Sequence, residues 1–397
     1  MTSLSASPAK ARPTKPHTFV FSDVHTDFTA SPFVDFAGRI AARGHRVIFL
    51  HPPPESSRAL IDRFQSLGAE THLLPELSGR SPWAVARGIE RVIATNNAVD
   101  PILVACESTP MRAQGLLGVR RHRRTIFHIQ VLRTGNDVRT YLRERIDATL
   151  VKRSGGVVLG CSRGVCEHMT EHMGIDPERV AYFPNWIDPV RFAPNPSEQA
   201  SAAAAENTAR IPTICNVAGF RPVKQQGTLI RAIARLRSSG LELQAVLVGA
   251  ADRSLNEGYF RQCQELAVRL GLSDRVRFLG SRQDVPDLLR QSDAFVFPSS
   301  QEGLACALLE AMASSLPCVA SAIHASYEVI VHGENGFLCS PRSELDLAAT
   351  LRHVFSLPAI ERRRIGEAAR ETVSKRYTWE AAFQVVSPFL ERHGIHI

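Results

Sequence analysis

Hydrophobic positions in this chain fall in short apolar runs that alternate with longer amphipathic stretches. His17–Ser22 (HTFVFS), Arg46–Leu50 (RVIFL), Ile102–Ala105, Thr125–His128 and Gly156–Leu159 read as strands. Between the first two, Pro32–Arg43 has apolar residues at helical spacing, and Gly44 stops it. Alternation at this spacing predicts a parallel sheet with crossover helices.

The texture changes near residue 190. The segment 183–188 (FPNWID) is rich in turn formers, and 193–209 contains no large apolar residue. The alternation then restarts. Thr213–Val217, Gln244–Val248, Val276–Leu279, Ala294–Pro298 and Pro317–Ser321 read as strands. Gly227–Leu236, Tyr259–Leu270, Val285–Gln291 and a segment from about Ala305 read as helices. Trp379–Arg392 reads as one long amphipathic helix. The expected fold class is α/β, with two Rossmann-like doubly wound domains facing a central cleft. The expected limits are a disordered tail at 1–17, a first domain at 18–192, a linker at 193–210, a second domain at 211–376, and a helix at 377–397 that crosses back to the first domain.

A length of 397 residues fits two cores better than one. The eight cysteines show no C-x-x-C pairing, so free thiols and a reducing compartment are expected rather than a disulfide framework or a metal site. No apolar run approaches the roughly 20 residues of a membrane span. The Ser/Pro/basic start (MTSLSASPAKARPTKPH) lacks the apolar core of a signal peptide. The expectation is a cytoplasmic protein, with room for association at the inner face of a membrane.

Net charge is +8, unevenly spread. Residues 101–150 hold 9 Lys and Arg against 4 Asp and Glu, including Arg120-Arg121-His122-Arg123-Arg124. Such a run fits a solvated helix end, an anionic membrane surface or an anionic acceptor. Nucleic acid fits poorly, because no aromatic residues interleave the run.

Candidate chemistry concentrates in QEGLACALLEAMA (301–313). Glu302 follows a buried strand at the carboxyl edge of the sheet. Glu310 is expected about two turns into the next helix, roughly 12 Å along its axis. The helix N-terminus between them suits phosphate, and each carboxylate suits a vicinal diol. Diol, phosphate and diol together describe a nucleotide sugar. Arg221 and Lys224, in NVAGFRPVKQQG (216–227), follow the first strand of the second domain and supply cations for a diphosphate.

Several ordered motifs now carry a resemblance: GFRPVK (219–224), LVG (247–249), DRVRFLGSRQDVPDLLRQSDAFVFPSSQEG (274–303), LLEAMASSLPCVAS (308–321) and YEVIVHGENGF (327–337). With them the second half resembles the nucleotide-binding half of family 4 glycosyltransferases, which have the GT-B fold. The resemblance implies that Arg221 and Lys224 contact the donor diphosphate. It implies that Glu302 contacts the donor sugar, Glu310 the ribose, and the amides of Gly303 and Leu304 the phosphate. Arg282 lies where the family places the nucleobase, and Glu328 matches a common glutamate before the last strand. In the first half, His128 matches a histidine that faces the sugar, and Ser162 a serine after a strand. PNWID (184–188) and Phe192 resemble the interdomain hinge.

There are departures. Ser22-Asp23-Val24-His25-Thr26 replaces a glycine pair beside the phosphates, and His324-Ala325 replaces another. The implied activity is retaining and metal-independent hexosyl transfer without a cofactor, from GDP-mannose or a UDP-sugar. The acceptor would be a lipid-linked oligosaccharide or glycan in envelope or exopolysaccharide synthesis. His128 and Glu302 are the catalytic candidates, with Glu302 orienting the sugar rather than attacking it. A sugar-nucleotide epimerase and a non-catalytic nucleotide-sugar binder are the alternatives. A dinucleotide dehydrogenase is excluded because no G-x-G-x-x-G follows a strand.

Overall fold

A computed structural model describes residues 16–22, 32–53, 58–79, 81–106, 108–122, 124–129, 138–195, 210–250 and 257–397. The loop Asp23–Thr26, most of the expected linker and nearly all of the expected tail lie outside these residues.

The first half alternates strand and helix: β1 (Thr18–Ser22), α1 (Pro32–Ala42), β2 (Arg46–His51), α2 (Arg58–Ser66), β3 (Glu70–Leu73), α3 (Pro82–Thr95) and β4 (Ile102–Ala105). It continues through α4 (Ser108–Arg121), β5 (Thr125–Ile129), α5 (Val138–Ser154), β6 (Val157–Gly160), α6 (Arg163–Glu167) and β7 (Val180–Tyr182). The second half repeats the scheme with β8 (Thr213–Val217), α7 (Gln226–Ser238), β9 (Gln244–Val248), α8 (Glu257–Arg269), β10 (Val276–Gly280), α9 (Val285–Arg290) and β11 (Ala294–Phe297). There follow α10 (Cys306–Ala313), β12 (Cys318–Ser321), α11 (His324–Tyr327), β13 (Phe337–Cys339), α12 (Glu344–Ser356), α13 (Ala359–Arg376) and α14 (Trp379–Arg392).

Every strand pair among the described residues is parallel. The first sheet runs β3-β2-β1-β4-β5-β6-β7 and the second β10-β9-β8-β11-β12-β13. Helices on both faces explain why β4, β6, β11 and β12 are buried at every position: such strands meet water on neither side. Each order reverses once, between β1 and β4 and between β8 and β11. Loops at such a reversal diverge to opposite faces and leave a crevice at the carboxyl ends of the strands.

Gly44 ends α1 as the pattern predicts. At φ +86° it takes a left-handed turn, its N–H donates to the Ala41 carbonyl, and that of His45 donates to Ile40. Gly249, after β9, has a different reason. A Cβ there would lie 2.0 Å from the Ala218 carbonyl oxygen, so only glycine lets the ends of β8 and β9 approach so closely.

The two domains share a continuous apolar core. Phe127, Val158, Cys161 and Phe192 of the first pack in one cluster with Leu304, Leu308, Met312 and Tyr377 of the second part of the chain. A separate cluster joins β1, β2 and α1 to α14: Trp379, Ala382, Val386, Phe389 and Leu390 pack with Phe19, Phe33, Phe36 and Phe183. The last helix thus belongs to the first domain's core. Trp379 contacts Trp186 edge to face at 5.0 Å, and the guanidiniums of Arg39 and Arg43 lie over its ring. Replacing Trp379 with alanine is expected to cost about 3–5 kcal/mol. The loss should appear as a lower midpoint in the urea denaturation curve of the full chain.

Candidate functional site

The site is assembled where β8 and β11, neighbours across the reversal, deliver their following loops to one edge. After β8 the chain makes a 3-10 turn at Pro222–Lys224, and Arg221 lies exposed at its start. After β11 it runs through Pro298–Glu302. Two bonds tie these loops together: the Ser300 N–H and its hydroxyl both donate to the Val223 carbonyl, at 2.8 and 3.2 Å.

That tie places Lys224 beside Glu302. The ammonium donates to the carboxylate in a close ion pair, with side chains only 12% and 9% exposed. Paired charges so far from water have lost much of their hydration, so each strongly requires the other or an equivalent partner. The sequence predicted a cation for phosphate and a carboxylate for a sugar. The structure joins the two directly.

Beyond Glu302, Gly303 and Leu304 are buried and Ala305 is extended, at φ −79° and ψ 115°. Helix α10 begins only at Cys306, and no side chain caps its start. The first amides therefore face the crevice without intrahelical partners, the arrangement that favours anions. Glu310 consequently lies little more than one turn into α10, not two. The extended residues after Glu302 take up the missing turn.

Glu310 is partly accessible. Desolvation raises its carboxyl pKa to about 7, with the Arg191 charge pulling the other way. The sequence did not single out Arg191, although it directly precedes the hinge residue Phe192. Arg282, after β10, is exposed and holds Asp284 in a two-point ion pair at 2.6 and 2.8 Å.

The first domain departs more from expectation. His128 was expected to face the cleft, but its ring is fully enclosed, stacked on Phe33 at 6.3 Å and tilted against Phe183 at 5.7 Å. Burial lowers its pKa to about 4, so the imidazole is neutral at physiological pH. Both faces of a parallel sheet are covered, which lets a polar residue near a strand end point into the core. Among the described residues His128 packs beneath α1. Ser162 is buried and caps α6, its hydroxyl accepting from the Val165 N–H at 3.1 Å. Asp23 and His25 lie outside the described residues.

Two cross-domain contacts carried no clear signal. The Asn185 amide donates to the Leu304 carbonyl at 2.6 Å, anchoring the hinge beside Gly303. The Glu328 carboxylate accepts from the backbone N–H groups of Arg163 and Gly164, at 2.6 and 3.3 Å. None of the eight cysteines is in a disulfide. Among the described residues no side-chain cluster could hold a metal ion, and no helix is long and apolar enough to cross a membrane.

Comparisons with known proteins agree on both halves. A model of group 1 glycosyl transferases matches residues 200–372, and one of glycosyltransferase family 4 matches residues 33–191. The chain is 30% identical over 42% of its length to the N-acetyl-alpha-D-glucosaminyl L-malate synthase of Bacillus anthracis, covering 42% of that protein. It is 26% identical over 53% of its length to a GDP-mannose-dependent alpha-(1-6)-phosphatidylinositol monomannoside mannosyltransferase of Mycobacterium tuberculosis, covering 55% of it. The chain thus spans about half the length of these curated relatives. Its fold is similar to that of Anabaena HepE crystallised with UDP and glucose: TM-score 0.81, 21% identity, 95% of this chain and 100% of that one.

An acid whose folded pKa is raised stabilises the fold at low pH and loses that contribution as pH climbs through the folded value. Native stability should therefore fall between pH 4.5 and 7 by ~2 kcal/mol through Glu310 alone. Glu310→Gln should flatten that part of the curve, as measured by denaturation at several pH values.

Proposed function

We propose that this chain, which belongs to the group 1 glycosyltransferases of family 4 and has the GT-B fold, moves a hexose from a nucleotide sugar onto a lipid-linked or glycan acceptor. The donor is GDP-mannose or a UDP-hexose, and the product linkage retains the donor's anomeric configuration. The observation that carries the reading is the meeting of Lys224, Glu302 and the uncapped start of α10 at the β8/β11 reversal. The GDP-mannose named for the mycobacterial relative and the UDP and glucose bound by the Anabaena neighbour support such a donor.

The buried ion pair suggests how binding and chemistry connect. An arriving diphosphate offers Lys224 a partner of higher charge than a single carboxylate. As Lys224 turns to it, Glu302 is released to accept hydrogen bonds from sugar hydroxyls. Arg221 grips the phosphate oxygens with its planar fork, and the α10 amides hold the opposite side. Glu310, one turn further, accepts from the ribose diol. Charge leaving with the diphosphate is borne by these groups, so the residues supply the stabilisation without calling on a metal or cofactor. The transition state is oxocarbenium-like. Attack comes from the face the diphosphate vacates, and a diphosphate oxygen takes the acceptor hydroxyl's proton. His128, closed in its aromatic pocket, takes no step in this scheme.

The outer face of the first domain suits an anionic acceptor. Arg87, Arg120 and Arg121 line a cavity of about 290 Å³ with Trp83 and Glu90; Arg120 lies over the Trp83 ring at 4.4 Å, and Arg121 pairs with Glu90 at 2.9 Å. A lipid diphosphate or the anionic inner face of a membrane would complement this charge. With Arg120→Glu/Arg121→Glu, binding to anionic vesicles should fall at least tenfold, and neutral vesicles should show no difference.

The donor is tested by a panel of nucleotide sugars read by thermal shift, since a ligand that binds only the folded state raises the melting temperature. One donor should stand out and be slowly hydrolysed without epimer formation. Glu310→Ala should then weaken its binding by roughly 10–100-fold, the loss of a charged hydrogen-bond pair worth about 1.5–3 kcal/mol. Glu302→Ala should lower turnover more than binding. Two silent substitutions would remove the proposed donor site.

A further inference from the structure

We infer that Glu328 is a positioning residue that clasps the two domains shut by occupying the amino-terminal end of α6. Its catalytic consequence rests on the transfer reaction proposed above. Its mechanical role rests on geometry alone.

Glu328 belongs to the second domain, just after α11, and α6 to the first. The carboxylate oxygen Oε1 accepts from two successive backbone amides, Arg163 and Gly164. These are amides that a helix start leaves without intrahelical partners, and a carboxylate suits their partial positive charge. Ser162 satisfies the next one, at Val165. The tip of α6 is thus capped jointly, by a serine of its own domain and a glutamate of the other. His324, on α11, packs beside the same spot: a side chain at Gly164 would come within 3.4 Å of its Cβ.

The backbone of Glu328 is held just as firmly from behind. Its carbonyl accepts from the Tyr377 hydroxyl at 2.9 Å, and the Tyr377 carbonyl accepts from the Ile187 N–H of the hinge at 3.0 Å. The Arg163 guanidinium lies over Tyr182, the last residue of β7, at 5.0 Å. One residue therefore connects the hinge to the edge of the cleft. A cavity of about 390 Å³, bounded by Arg163, Gly164 and Glu167 on one side and by His324, Tyr327 and Glu328 on the other, opens between the domains beside the clasp. The clasp sits at the rim of the apolar core that the domains share, in which Val165, Val329 and Ile330 are buried.

The backbone at this point allows a pair of substitutions that share the loss of the Arg163 side chain and differ in the backbone N–H. Proline fits the first position of a helix, where its missing N–H is not needed for the helix itself. The preceding Ser162 is extended, at φ −142° and ψ 160°, as a residue before proline must be. Arg163→Pro therefore deletes the shorter clasp bond while preserving the helix. Arg163→Ala deletes the side chain and keeps the bond.

Small-angle X-ray scattering and hydrogen exchange on the full chain read the clasp directly. Arg163→Pro and Glu328→Ala should enlarge the radius of gyration and speed exchange over residues 160–167 at least tenfold. Arg163→Ala should match the wild type within twofold, and Glu328→Gln, which keeps an acceptor oxygen without its charge, should fall between. Affinity for UDP or GDP should change less than twofold, because the proposed nucleotide contacts lie in the second domain. Turnover should drop at least tenfold, with the donor KM little altered. If Arg163→Pro and Arg163→Ala behave alike in scattering and exchange, the clasp is refuted. If both readouts shift as stated while even the wild type transfers no sugar, the clasp stands and the proposed reaction is what fails.

Discussion

A positive and a negative side chain, both nearly out of water, meet where the second sheet reverses its strand order. Neither Lys224 nor Glu302 could remain in that place without the other or a substitute. Everything around them serves to hold the two loops in register: the glycine that lets β8 and β9 close up, the serine tie between residues 223 and 300, and the extended link that delays α10. The pair is a site already charged and dehydrated before any ligand arrives. Under the proposed function, rearranging it requires a ligand with charges of its own, a basis for selectivity toward phosphorylated sugars over free ones.

Much of the architecture could be read from the chain because parallel strands buried on two sides leave unmistakable apolar runs. Thr213–Val217, Gln244–Val248 and Trp379–Arg392 coincide with the observed elements. The same double burial hides the surroundings of His128 from a sequence reading. In a sheet covered on both faces, alternation does not distinguish a cleft-facing polar residue from one pressed between Phe33 and Phe183. The ring's neutrality follows from that enclosure, and nothing local in TIFH announces it.

The proposed donor residues were recognisable as types at spacings, but their relationships were not. That Lys224 would grasp Glu302 depends on two loops 78 residues apart sharing one edge. The position of Glu310 depends on where α10 starts, and that was set by three residues with no strong helix or turn signal. Asn185 and Glu328 show the same limit. Each stood in a noticed motif, yet each acts on backbone groups of the other domain, and a backbone partner leaves no trace in the identity of the residue that supplies it.

The closing helix has a consequence for how the molecule is made. Because Trp379, Val386, Phe389 and Leu390 complete the core around β1, the amino-terminal half cannot finish its apolar interior until residues 379–390 have left the ribosome. The second Rossmann unit, whose strands and helices are all contiguous, can mature first. The half synthesised earliest must wait with an open aromatic surface, and is the part most exposed to chaperones and aggregation during biosynthesis.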